Sequence, residues 1–198
     1  MKSKSELTRQ FIIETIAPIF NKNGYSGTSM SDITKATGLT KGAIYGNFKN
    51  KEDLALEAFN FNVRFIINKL KDIVTTVESP LARLYALTNF YRNYNKHALN
   101  FGGCPILNVG IDANHTNPIL YERVKYVAIK MQKSIELIIQ QGMECGEMKD
   151  SIDPTKLAGR IFALIEGAVF TSVLLRDNTY LLDMMNHLDH LIKTEIAI

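Results

Sequence analysis

Cysteine is scarce in this sequence. Its 198 residues hold two, Cys104 and Cys145, too few for a disulfide framework and too far apart for a close-spaced metal-ligand pair. Both are expected as reduced thiols. Long apolar runs are missing as well: none reaches the roughly 18 to 20 residues of a membrane span. The polar start MKSKSELTRQ lacks the apolar centre of a signal peptide. A cytoplasmic protein outside any membrane is the expectation. There is no Gly-rich phosphate loop, and no Ser/His/Asp or Cys/His order in a fitting context. His187 and His190 have only Asp183 and Asp189 as neighbouring acids; a solvated helix face is expected there, with no metal, no cofactor and no enzymatic activity. Period-two alternation, internal repeats and low-complexity tracts are lacking too, which leaves an all-α architecture of about nine helices.

What is present is concentrated at one end. The net charge is only +3, yet residues 1–51 carry eight Lys or Arg against three Asp or Glu, while the remainder carries 15 against 17. The positive field therefore belongs to the first segment. Within it, residues 28–48, TSMSDITKATGLTKGAIYGNF, read as a helix-turn-helix. Ile33, Ala36, Leu39, Ile44 and Phe48 supply the apolar positions of two short helices, with Ala36 small at their crossing. Gly38 can take the positive φ of the turn, Thr40 can cap the second helix, and Ser29 with Asp32 reads as a capping box for the first. The second helix opens on Lys41, Gly42 and Ala43, a cation followed by two small residues that permit close approach to duplex DNA. A preceding helix, 5–23, with Leu7, Phe11, Ile12, Ile16, Ile19 and Phe20 on one side, would pack behind the motif; Pro18 predicts a bend in it.

Several of these pieces together resemble one family. The helix FIIETIAPIF and the stretch NGYSGTSMSDITKATGLTKGAIYGNFKNKEDL look like the DNA-binding domain of the TetR family of bacterial transcriptional regulators. The telling residues are Gly24-Tyr25, Asp32-Ile33, Gly38, the run Lys41-Gly42-Ala43-Ile44-Tyr45, Phe48, and Lys51-Glu52-Asp53-Leu54. The resemblance implies an all-helical homodimer whose C-terminal domain binds a small effector, with the last two helices forming a four-helix bundle with their copies. Within the motif, Thr28, Ser29, Thr40, Tyr45, Asn47 and Lys51 are assigned to phosphate. Lys41 and Thr40 are assigned to base edges, and Ala43 to a thymine methyl. Asn47 and Gly46 depart from the family, Gly46 offering no side chain where one commonly reads DNA, so readout leans on Lys41 and on DNA shape.

Beyond the motif, Asn50 caps a long helix over 51–77 that would act as a lever. Ser79-Pro80, Asn117-Pro118 and Asp153-Pro154 each place a capping side chain before a proline at the first helical position. They predict helices over 80–100, 118–143 and 154–176, with a short helix from near Pro105 and a last one over 179–195. The chain thus divides into residues 1–50, a helix-turn-helix domain, and 51–198, an effector-binding and dimerisation domain. Phe59, Phe90, Tyr94, Phe101, Cys104, Asn108, Phe162 and Glu166 mix aromatic and polar groups in a way that suggests an effector cavity, although plain core has the same composition. Glu166 is the only acid of its apolar helix; if it lines a pocket, a cationic or hydrogen-bonding effector is favoured, and otherwise it pairs with Arg160 or a lysine. The helix over 154–176 is apolar nearly all round and needs a second cover, so Phe170 and Leu174, with Leu181, Met185 and Leu188 of the last helix, are expected at a homodimer interface. The rival readings are a helical protein-interaction adaptor, which leaves the basic head unexplained, and an enzyme without a recognisable motif.

Overall fold

The computed structural model describes residues 3–94 and 102–198. Among them nine α-helices follow one another: α1 (Lys4–Asn23), α2 (Met30–Thr37), α3 (Lys41–Tyr45), α4 (Lys51–Thr75), α5 (Pro80–Arg92), α6 (Pro105–Ala113), α7 (Pro118–Glu144), α8 (Pro154–Leu174) and α9 (Thr179–Leu191). A π-helical turn, Ile192–Ile196, ends the series. The described residues contain no strand, only an isolated bridge between Met148 and Ala197.

Local chemistry sets these boundaries. The Ser29 hydroxyl accepts from the Asp32 N–H while the Asp32 carboxylate accepts from the Ser29 N–H, closing the capping box of α2. Gly38 ends that helix at φ 68°, a left-handed conformation that favours glycine. Thr40 caps α3 through the Ala43 N–H, and Asn50 caps α4 through the Asp53 N–H. All three residue-proline starts hold: Ser79, Asn117 and Asp153 each accept a backbone N–H three residues on, ahead of a proline at the first helical position. A second capping box, Ser3 with Glu6, opens α1 at Lys4, one residue ahead of the expected start. The helix expected over 80–100 stops at Arg92, capped by Asn93; residues 95–100 lie outside the described residues. α1 continues through Pro18 to Asn23.

The chain forms two compact units. The first comprises Met1–Ile66 and Leu99–Lys125. Its core joins Ile12, Ile13, Ile16, Ala17 and Phe20 of α1 to Ile33, Ile44, Phe48, Leu54 and Phe59. Two expectations fail here. Leu7, 57% exposed, and Phe11 lie outside, so the buried stripe of α1 is rotated toward Ile13 and Ala17. Ala36 is exposed, and Thr37 takes the inward position, its hydroxyl donating to the Ile33 carbonyl at 2.8 Å. Buried amides bind the unit across long sequence distances: Asn62 donates to the Ala17 carbonyl at 2.8 Å, and Asn21 to that of Gly103 at 3.0 Å.

The second unit comprises Ile67–Ala98 and Tyr126–Ile198. Here α9 packs on α8 and α5, and Arg92 of α5 pairs with Asp189 of α9 at 2.5 Å. α8 is the one helix among the described residues long and apolar enough to cross a membrane, by length and composition only. Its inner side, Leu157, Ala158, Ile161, Ile165, Ala168 and Val169, is covered within the unit. Glu147, in the loop after α7, accepts the Ser79 hydroxyl at 2.7 Å and the Leu81 N–H at 2.8 Å, which anchors the start of α5. The Ser79 hydroxyl first, then the Leu81 N–H, hold this carboxyl below the ordinary glutamate range. A lowered folded pKa contributes stability that is present above the unfolded value, about 4.3, and lost as pH falls through the folded one. Glu147→Gln is therefore expected to lower the urea midpoint at neutral pH and to match the parent at the acid end. A constant difference in midpoint across that range would show that Glu147 does not titrate in this way.

Candidate nucleic-acid interface and interior cavity

The first unit presents the N-terminal end of α3 to solvent. Thr40, Lys41, Gly42, Ala43 and Tyr45 are exposed together, and the Lys41 ammonium lies 5.9 Å from the centre of the Tyr45 ring. Nothing inside the chain demands glycine at position 42: a Cβ there would meet only the Thr40 hydroxyl, at 4.0 Å. Glycine weakens a helix by roughly 1 kcal/mol relative to alanine, so its lack of a side chain suits something that approaches from outside.

Three residues assigned to phosphate are already engaged. Thr28 is fully buried and donates its hydroxyl to the Gly24 carbonyl at 2.8 Å, which removes it from any surface contact. Lys51 is half-buried; its ammonium donates to the Tyr25 carbonyl at 2.6 Å and sits 4.3 Å from that ring's centre. Burial pushes its pKa down, opposed by the carboxylates of Asp112 and Asp32. Lys51 braces the turn before α2 instead of reaching outward. Asn47 is half-buried and returns its amide to the Ala43 carbonyl at 2.9 Å. Ser29 stays at the surface, its hydroxyl donating to Asp32 at 2.6 Å.

Asp112 of α6 completes the brace, and sequence reasoning missed it. Its carboxylate accepts the Tyr25 N–H at 2.6 Å and the Ser26 N–H at 3.2 Å. Gly24, at φ 78°, lies so close that an added Cβ would come 2.8 Å from the Asp112 carboxyl carbon. The turn leading into the motif is thus gripped by Lys51 on one helix and Asp112 on another.

The residues expected at one effector cavity separate. Phe59, Cys104 and Asn108 belong to the first unit. Phe59 is core beside Phe20 and Leu120, Cys104 is buried at the start of α6, and Asn108 donates to the Asn21 and Gly102 carbonyls. Phe90 and Tyr94 are buried in the second unit in an aromatic cluster, 6.0 Å apart between ring centres. Phe101 lies outside the described residues. Glu166 is buried on the inner side of α8 but does not line the large cavity. Only Phe162 does. That cavity, about 400 Å³ and open to solvent on one side, is lined in the second unit by residues of α4 from Ile67 to Thr75, by Leu87 and Tyr91 of α5, by α7 from Lys130 to Gln141, and by Phe162 and Ile165 of α8. Its size falls within the range of small-molecule sites. Sequence inspection chose Phe90 and Tyr94 where Tyr91 forms the wall, because helical spacing does not say which of adjacent aromatics turns toward a void.

The expected dimer residues also separate. Leu181, Met185 and Leu188 are fully buried on the inward stripe of α9, because that stripe seats the helix on its own unit. Phe170, 47% exposed, and Leu174, 65% exposed, stand outside, joined by Val173, Leu175, Tyr180 and Leu182.

Comparisons with known proteins agree with this architecture. The model of the bacterial regulatory proteins of the tetR family matches residues 12–58, and that of the tetracyclin repressor-like C-terminal domain matches residues 80–188. A TetR-family transcriptional regulator from Cytophaga hutchinsonii is 36% identical, with a TM-score of 0.91 over 100% of this chain and 98% of its own. One from Chloroflexus aurantiacus J-10-FL is 35% identical, with a TM-score of 0.93 over 98% of each. The HTH-type transcriptional repressor DhaR of Mycobacterium sp. (strain GP1) is 25% identical over 162 residues, 81% of this chain and 80% of that one. With a capped helix-turn-helix at one end and the matched C-terminal domain over more than half its length, the chain belongs to the TetR family of helix-turn-helix transcriptional regulators.

Proposed function

We propose that this regulator binds a palindromic operator as a homodimer and represses until a small effector occupies the cavity of its second unit. The observation that carries the reading is the course of α4. Its first residues, among them Leu54, Ala58 and Phe59, are core of the unit that holds the motif, and its last, from Ile67 to Thr75, wall the cavity. A ligand that alters the course of this continuous helix changes what the motif can reach. Such coupling is typically about 1 to 3 kcal/mol, and operator DNA must weaken ligand binding by the same factor. Functionally, residues 1–50 read DNA while residues 51–198 sense and dimerise, with Asp112 of α6 bracing the reading part. Repression is favoured by the likeness to a named repressor. The chain acts in the cytoplasm, as a regulator without catalytic activity.

The dimer reading rests on the outer side of α8. Ala163, Gly167, Phe170 and Leu174 recur along one exposed stripe, and a Cβ added at Gly167 meets nothing within 4 Å. Small residues followed by large apolar ones on an uncovered stripe suit a second copy at close range.

In the revised contact set, Thr40, Lys41, Gly42, Ala43 and Tyr45 meet DNA, with Ser29 and Asn47 at the margin, and Thr28 and Lys51 withdrawn. The test is retardation of the DNA upstream of the gene. Lys41→Ala is expected to lower specific affinity about 5- to 100-fold, the range of one base contact. Gly42→Ala should leave the thermal midpoint unchanged or higher while weakening DNA binding. If both variants bind like the parent, the N-terminal end of α3 is not the reading surface. In the same assay, Ile135→Trp, which fills the cavity, should bind DNA normally and ignore any small-molecule extract that releases the parent.

A further inference from the structure

The cavity wall carries a chemical preference of its own. Its floor is apolar, formed by Leu87, Ile135, Phe162 and Ile165. Its charged lining among the described residues consists of Lys71 of α4 and Lys130 of α7, with no acid. Both lysines are exposed, and neither ammonium makes an ion pair or hydrogen bond among the described residues; that of Lys130 lies 5.3 Å from the Tyr126 ring centre. A sugar or nucleotide would bury polar groups against a wall with few partners for them, which is costly. A cation would meet two like charges. Because Glu166 is not on the wall, the ground for a cationic effector disappears.

We propose that the cavity takes a single-chain lipid anion, its alkyl chain against the apolar floor and its carboxylate or phosphate head at Lys71 and Lys130. This rests on the reading of the cavity as the effector site. Apolar burial supplies the affinity and the two cations supply the sign preference. Head chemistry decides between two sources, a fatty carboxylate and an alkyl phosphate.

The test is calorimetry on delipidated full-length protein without DNA, below the critical micelle concentrations. The ligands are octanoate, decanoate, laurate, myristate and palmitate, with the methyl ester, the alkyl phosphate and the alkyltrimethylammonium of matching length. Affinity should rise about fourfold per added methylene until the cavity is full, then level off. The ester should bind about three- to thirtyfold more weakly than the carboxylate. K71Q/K130Q should remove that advantage while leaving the ester unchanged. A phosphate tighter than the carboxylate assigns the phosphate source, and the reverse order assigns the carboxylate. The proposal is overturned if the cation binds as tightly as the anion, if affinity ignores chain length, or if K71Q/K130Q binds carboxylates like the parent. An extract fraction that releases the operator while every lipid anion is inert overturns it too, and leaves the broader effector reading standing.

Discussion

Replacing Phe170 and Leu174 together by Asp is expected to make the protein a monomer at micromolar concentration and to lower operator affinity about 100-fold or more. The two side chains are the large members of the exposed stripe of α8, so each new carboxylate would enter the apolar seam of the proposed dimer without a partner. Truncating a central apolar anchor commonly costs about 2 kcal/mol or more, and charging it costs further. In the proposed dimer each copy brings one reading head, so operator affinity should fall when it dissociates, a linked pair gaining about 10² to 10⁴ over single heads. Folding of the isolated chain should survive, since both positions are exposed in it. Sedimentation equilibrium and retardation of the operator, run on the same preparation, check both halves. A parent protein that sediments as a monomer would remove the basis of the dimer, and a variant that stays dimeric would move the interface elsewhere.

Asp112→Ala is expected to destabilise the first unit by about 2 to 4 kcal/mol and to weaken DNA binding with it. Two backbone donors, Tyr25 N–H and Ser26 N–H, lose a charged acceptor; a hydrogen bond to a charged group is worth roughly 1.5 to 3 kcal/mol, less where water can replace it. The neighbouring Lys51 loses its opposite charge as well. Asp112→Asn keeps one acceptor and should fall between the alanine variant and the parent. Gly24→Ala attacks the same contact from the other side, through the crowded carboxylate and the positive φ, and should be of comparable severity. Amide hydrogen exchange at residues 24–28 together with the thermal midpoint measures the effect. If exchange there is unchanged in Asp112→Ala, the brace is not what orders the turn.

These expectations differ from a reading of the chain alone mainly in which side chains are available. Helix starts, and most stops, were legible to within a few residues, because a capping Ser, Asp or Asn, a first-turn proline and a left-handed glycine act through neighbours three or four positions away; the end of α5, at Arg92 and not near 100, carries no such signal. The reading motif was legible for the same reason: Gly38, Thr40 and the small pair Gly42-Ala43 work locally. By contrast, Thr28 and Lys51 carry the same hydroxyl and ammonium as any phosphate contact, and only the fold shows them given to Gly24 and Tyr25. Asp112 stands 87 residues from Tyr25, and no local pattern joins them.

Short stretches of chain were enough to specify an all-helical protein with a basic helix-turn-helix at its N-terminal end, because periodicity, capping and charge placement are local properties; that it is a regulator was implied by the family resemblance of those stretches. Which apolar stripe is covered followed from how the helices pack. Leu181, Met185 and Leu188 of α9 turn inward while Phe170 and Leu174 of α8 stay outside, and Tyr91, not Phe90, borders the cavity with Lys71 and Lys130. A helical period tells which residues share a side of a helix; what lies against that side depends on segments far away in the chain, and burial is settled where they meet.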